Sequence, residues 1–139
     1  MRFLAVIGLL AAGLAFAGGA SDQKKFQGAW QRVSIIDDGK KVEGAEKGSV
    51  IFSGSEYTLK DGDTVKSKGT YKLDESKSPK EFDVMPGAGP YKGKSLKGIY
   101  KFDGEQLVYC IAGPDLDRPK EFASPAGSKL RLYTNKRVK

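Results

Sequence analysis

The chain contains no histidine, one cysteine and one tryptophan. Without histidine, the commonest general base and the commonest metal ligand are both missing. Cys110 is the single thiol, so no disulfide closes a loop within the chain and no Cys–His nucleophile pair or zinc site can form. Carboxylates do occur in pairs: Asp37 with Asp38, Asp61 with Asp63, Asp115 with Asp117. Each pair falls in a turn, where aspartate serves the backbone geometry. Asp61-Gly62-Asp63 lacks the remaining ligands of a calcium loop. No catalytic set, metal site or cofactor is therefore expected, and the chain is not expected to be an enzyme.

Arginine is also scarce. The formal net charge is +7, but beyond the first twenty residues the arginines are Arg32, Arg118, Arg131 and Arg137 alone; the rest is lysine, spread along the chain. Base readout and stacking on single strands lean on arginine and clustered aromatics, so nucleic acid is not an expected partner. Dispersed lysine suits the protection of sheet edges, and leaves attraction to an acidic envelope polymer as one expected use of the charge.

Long hydrophobic runs are confined to the beginning. Met1-Arg2 is followed by an uncharged apolar stretch, Phe3 to Phe16, and then by small residues at Ala15-Phe16-Ala17 and Gly18-Gly19-Ala20. This is the layout of a secretory signal peptide over residues 1–20, cleaved after Ala17 or Ala20. The run falls short of the ~20 residues that span a bilayer. No membrane span is expected in the mature chain, residues 21–139, which reads as one domain exported to the periplasm or the medium.

No dozen-residue window beyond residue 20 keeps a helical apolar stripe. Glycine punctuation recurs instead, at Asp38-Gly39, Ser53-Gly54, Asp61-Gly62 and Asp103-Gly104, and such pairs between apolar runs mark hairpins. Strands are predicted over 29–36, 49–53, 56–60, 64–73, 81–85, 95–102, 106–112 and 129–134. In the fourth, Val65, Ser67, Gly69, Tyr71 and Leu73 share one face and the lysines the other. Phe82 and Val84 are expected inward; Leu96, Gly98, Tyr100 and Phe102 share a face, as do Leu130 and Leu132. About eight strands joined mostly by short turns predict an all-β chain, an antiparallel up-and-down barrel closed on itself to remove its edges. A β-sandwich is the rival fold, but its crossings need longer loops. Gly69 and Gly98 suit bends at barrel corners. The long segment Gly113–Ser128 carries Pro114, Pro119 and Pro125, and its Phe122 is expected to tuck into the barrel end. Cys110, inside the run Leu107–Ile111, is expected to be a buried, inert thiol.

Gly28-Ala29-Trp30 stands at the start of the first strand. Glycine there permits a sharp turn, and the indole can plug one end of the barrel under a cation from the last strand, Arg131 or Arg137. Trp30 shares its parity with Arg32 and Ser34 whereas Val33 and Ile35 lie opposite, so either the strand bulges after Trp30 or the indole is less inward. This Gly-x-Trp with a late arginine resembles the structural signature of lipocalins and their calycin relatives. Beyond it, "FQGAWQRVS", "DGKKV", "GTYKLDESKSPKEFDV", "GKSLKGIYKFDGEQLVYCIA" and "RPKEFASPAGS" occur in that order. Together they resemble a family of small exported, lipocalin-like domains of uncharacterised function, found mainly in planctomycete bacteria, over nearly the whole of Phe26–Arg137. The resemblance implies a lipocalin-like barrel with Gly28, Trp30 and Arg137 as its closure, and brings no activity, ligand or site.

Tyr71, Phe82, Tyr100, Phe102 and Tyr109 lie on strand faces read as inward. Converging in a barrel, they would grip a small apolar or amphipathic ligand. The alternative is a structural or protein-interaction module of the cell envelope with a solid core, working through Gly113–Ser128 and its lysine-rich face.

Overall fold

Each of the four glycine-containing pairs joins two strands that hydrogen-bond to one another, so the chain advances around a sheet one neighbour at a time. The computed structural model describes residues 17–139, with side chains from Asp22 onward. Residues 1–16 of the expected leader lie outside the described residues. The elements are a helix α1 (Ala17–Phe26) and strands β1 (Gly28–Asp37), β2 (Lys40–Lys41), β3 (Gly48–Ser53), β4 (Glu56–Asp61), β5 (Thr64–Asp74), β6 (Lys80–Pro86), β7 (Gly98–Asp103), β8 (Gln106–Ala112) and β9 (Leu130–Arg137), with a 3₁₀ turn at Ala45–Lys47. All strand pairings are antiparallel. Apart from the two-residue β2, the strands run in sequence order, and β9 pairs back with β1 to close an eight-stranded up-and-down barrel. That seam rules out the sandwich.

Alternation fails at two places, and each is a bulge. Along the seam Asn135 faces Arg32 and Thr134 faces Ser34, so Val33 has no counterpart and stands exposed. This is the bulge after Trp30. Beyond it the parity inverts, and Asp37 comes to the same interior space as Arg32. Between β4 and β5, Leu59 faces Ser67 but Lys60 faces Val65, leaving Lys66 over. Val65 was expected inward with Ser67 and Tyr71; the bulge turns it out, 52% exposed. On β9 the inward set is Arg131, Tyr133, Asn135 and Arg137, opposite to Leu130 and Leu132. Tyr133 packs on the core, and Asn135 is fully buried.

The core is largely aromatic. Phe26, at the end of α1, is completely enclosed by Phe52, Tyr71, Phe82, Tyr100 and Phe102, with ring centroids 5.0–5.8 Å away. Trp30 lies beside it, and its Nε1–H donates to the Phe26 carbonyl at 2.8 Å. The Arg137 guanidinium lies 4.1 Å from the Trp30 ring centroid. Its Nη1 donates to the Gln27 carbonyl at 2.7 Å and its Nη2 to that of Lys25. Three successive carbonyls at the helix end thus gain donors that the helix itself cannot supply. Gly28 has φ of 107°, and a Cβ there would come within 3.3 Å of Arg137 Nη1, so both backbone and space call for glycine. Arg131, the other candidate for the indole, instead pairs with Asp37 at 3.3 Å. The 17–26 helix was not anticipated.

Gly69 is a point of close approach: a Cβ would lie 2.6 Å from the Met85 carbonyl oxygen and from the Tyr57 ring. Outside the barrel, Gly113–Ser128 lies against β7 and β8. Cys110, buried on that outer side, donates through Sγ to the Ala123 carbonyl at 3.4 Å, and burial pushes its thiol pKa up. Phe122 does not enter the barrel end as expected; it sits under Lys101, 4.6 Å from Nζ to the ring centroid, on an outward position of β7. The loop is held there by Arg118, which donates to the Gly98 carbonyl at 2.8 Å and pairs with Asp83 and Glu81.

Two outcomes test the plug. Phe26→Ala should lower the unfolding free energy by about 3–5 kcal/mol in chemical denaturation; a loss below about 1 kcal/mol would show that the helix end is not part of the core. Asp22 on α1 accepts from Tyr100 Oη at 2.6 Å and from Lys80 Nζ at 3.0 Å. Burial opposes its ionisation, but these bonds and the charges of Lys80 and Lys25 prevail and hold its pKa below the usual 3.8. Because the folded pKa is depressed, the stabilisation is complete above the unfolded value and fades as pH falls through the folded one. The stability advantage of the natural chain over Asp22→Asn should be full at neutral pH and vanish in acid; a gap constant across that range would contradict it.

Candidate functional site

With α1 sealing one end, the interior splits into a filled half and an open half. The open half is a cavity of about 760 Å³. Its walls are Val50 and Phe52 on β3, Leu59 on β4, Phe82 and Val84 on β6 and Ile111 on β8, with Leu96 closing the gap before β7. Leu96 is held by a reciprocal backbone bridge to Val84, at 2.8 and 3.0 Å. The mouth is rimmed by Asp37, Asp38, Tyr91, Leu116, Lys129 and Arg131. There Asp37 engages Arg131, and Asp38 Oδ1 accepts from the Lys129 amide at 2.8 Å.

Deep in this apolar space stands a polar cluster. Arg32 is 6% exposed; its Nη1 donates to Tyr109 Oη at 2.5 Å and to Asn135 Oδ1 at 2.7 Å. Its guanidinium carbon lies 4.6 Å from the Tyr133 ring centroid. Asn135 in turn donates through Nδ2 to the Leu107 carbonyl at 2.9 Å, which fixes the amide so that its oxygen faces the arginine. Tyr57 also lines the cavity, and its hydroxyl makes no hydrogen bond among the described residues. Burial, with the phenols of Tyr109 and Tyr133 nearby, pushes its pKa up to about 12. Burial also raises Tyr109 against the opposing pull of Arg32, so this phenol stays a neutral hydroxyl. A cavity with apolar walls, hydroxyl donors and one buried cation suits binding. Among the described residues no group of three or more acidic, cysteine or histidine side chains is placed to hold a metal ion.

Of the five aromatics expected to converge on a ligand, two meet it: Phe82 and Tyr109, whose rings lie 4.8 Å apart, line the cavity. Tyr71, Tyr100 and Phe102 do not. They pack around Phe26 in the sealed half, with Tyr71 Oη donating to the Gly54 carbonyl at 2.7 Å and Tyr100 Oη to Asp22. Arg32, Tyr57, Tyr133 and Asn135 were not singled out from the sequence. The available signal was parity: Arg32 shares the face of Trp30, while Tyr133 and Asn135 share that of Arg137. No family model, curated protein or solved structure matches the chain.

Asn135→Leu should remove partners from both the Leu107 carbonyl and the Arg32 guanidinium. The expected loss is roughly 1–3 kcal/mol for each group left unpaired, read from the urea unfolding midpoint. A variant as stable as the natural chain would show that the amide is dispensable.

Proposed function

We propose that this chain is an exported, lipocalin-like binding protein, not an enzyme, which takes one small apolar or amphipathic molecule into the open half of its barrel. The observation that carries the reading is the cavity: its volume, about 760 Å³, is within the ~300–1,000 Å³ usual for small-molecule sites, and its walls are apolar apart from the Arg32 cluster and the charged mouth. A solid-core interaction module has no use for such a space. The resemblance of Phe26–Arg137 to exported lipocalin-like domains supports the same reading, as does the leader-like beginning. The side chains seen to anchor α1, from Asp22 to Gln27, all follow both expected cleavage points, so a processed chain keeps its plug.

Titration with the neutral fluorophore N-phenyl-1-naphthylamine tests this. Saturable, blue-shifted fluorescence is expected, with Leu59→Trp weakening binding by about tenfold or more through loss of cavity space. Far-UV circular dichroism of the variant should be unchanged. Absence of saturable binding by the natural chain, or binding indifferent to the blocked cavity, would overturn the reading.

A further inference from the structure

Arg32 is a buried cation whose partners are all neutral. Tyr109 and Asn135 take both bonds from Nη1, the rings of Tyr109 and Tyr133 flank the guanidinium, and among the described residues Arg32 forms no ion pair. Among the described residues Nε and Nη2 carry no hydrogen bond. Nor are they walled in, since the one fully enclosed side-chain nitrogen or oxygen without a partner among the described residues is Glu75 Oε2. Arg32 itself lines the cavity. Nε and Nη2 form one edge of the guanidinium, the fork that meets a carboxylate with two parallel bonds. Burying a lone charge in an apolar interior is costly, and neutral hydrogen bonds offset it only partly. The rim carboxylates do not relieve it: Asp37 is paired with Arg131, and Asp38 is tied to the Lys129 amide.

Resting on the binding reading above, we infer that the ligand is a carboxylate amphiphile, which enters head first and sets its carboxylate on the free Nε–Nη2 edge of Arg32 with its apolar body along Phe52, Leu59, Val84 and Leu96. A single guanidinium matches the single charge of a carboxylate better than the near-double charge of a phosphate monoester. Tyr57, lining the same cavity with an unengaged hydroxyl, supplies a further donor. The neutral state of Tyr109 leaves Arg32 without an internal counter-ion for the ligand to displace.

The test compares cis-parinaric acid with its methyl ester at pH 7, by fluorescence, on the natural chain and on Arg32→Met, with N-phenyl-1-naphthylamine as the neutral control. The acid should bind the natural chain about tenfold or more tighter than the ester. In Arg32→Met that preference should disappear, because the acid loses about tenfold or more relative to both the ester and the neutral probe; some stability should be lost as well, since Asn135 Oδ1 and Tyr109 Oη lose their donor. Equal binding of acid and ester by a chain that binds the neutral probe overturns the carboxylate assignment and leaves the binding reading standing. A preference that survives Arg32→Met overturns the role of Arg32. Failure of all three probes overturns the binding reading itself. Should Arg32→Met not fold, the acid–ester comparison on the natural chain decides alone.

Discussion

Arg137 is where the requirements of the fold meet. It forms the last residue pair of the seam between β9 and β1, opposite Trp30. Its guanidinium covers the indole, a contact of roughly 0.5–2 kcal/mol, and its two terminal nitrogens supply donors to carbonyls at the end of α1. One side chain thus ties the closing strand, the plug and the helix together. Gly28 is the complementary vacancy: it turns the chain from helix to strand and leaves room for the arginine.

The plug decides what the rest of the interior can be. Phe26 fills the sealed half, so the aromatic side chains on that level are consumed by packing, and their hydroxyls turn to the helix segment, Tyr100 to Asp22 and Tyr71 to Gln23 and Gln27, with Tyr71 also donating to the Gly54 carbonyl of the β3–β4 turn. On the other level no helix enters. The polar groups there (Arg32, Tyr57, Tyr109 and Asn135) bind one another or stand open to the cavity. Phe82 divides the two levels, touching Phe26 on one side and Tyr109 on the other.

Much of the barrel was legible because alternation is a local property. The lysine-rich face of β5 and the turn glycines announce strand and hairpin without reference to the rest of the chain. The bulges at Val33 and Lys66 were not legible in the same way. A bulge is a mismatch of length between two paired strands, and no composition near Lys66 reports it; at Val33 the conflict of parity posed the question without locating the answer. The site was half legible for a related reason. Inward parity identifies which aromatics face the interior, but the depth at which each stands depends on strand register and on which end Phe26 occupies. Hence Phe82 and Tyr109 meet the cavity whereas Tyr71, Tyr100 and Phe102 do not. Arg32 is hard to read from sequence because arginine is ordinarily an outward residue, so its inward parity is indistinguishable from a defect of the strand.

The seam joins residue 30 to residue 137, nearly the full length of the described chain. A chain synthesised from its amino end has every strand but the last before it can shut the wall. Pairing across so large a sequence separation comes late and slowly in folding. Until β9 arrives, β1 and β8 each present an open edge and the indole has no cation over it. The final eight-residue strand is therefore the latch of the molecule, and loss of a few residues from it would leave a curled sheet with two sticky borders in place of a container.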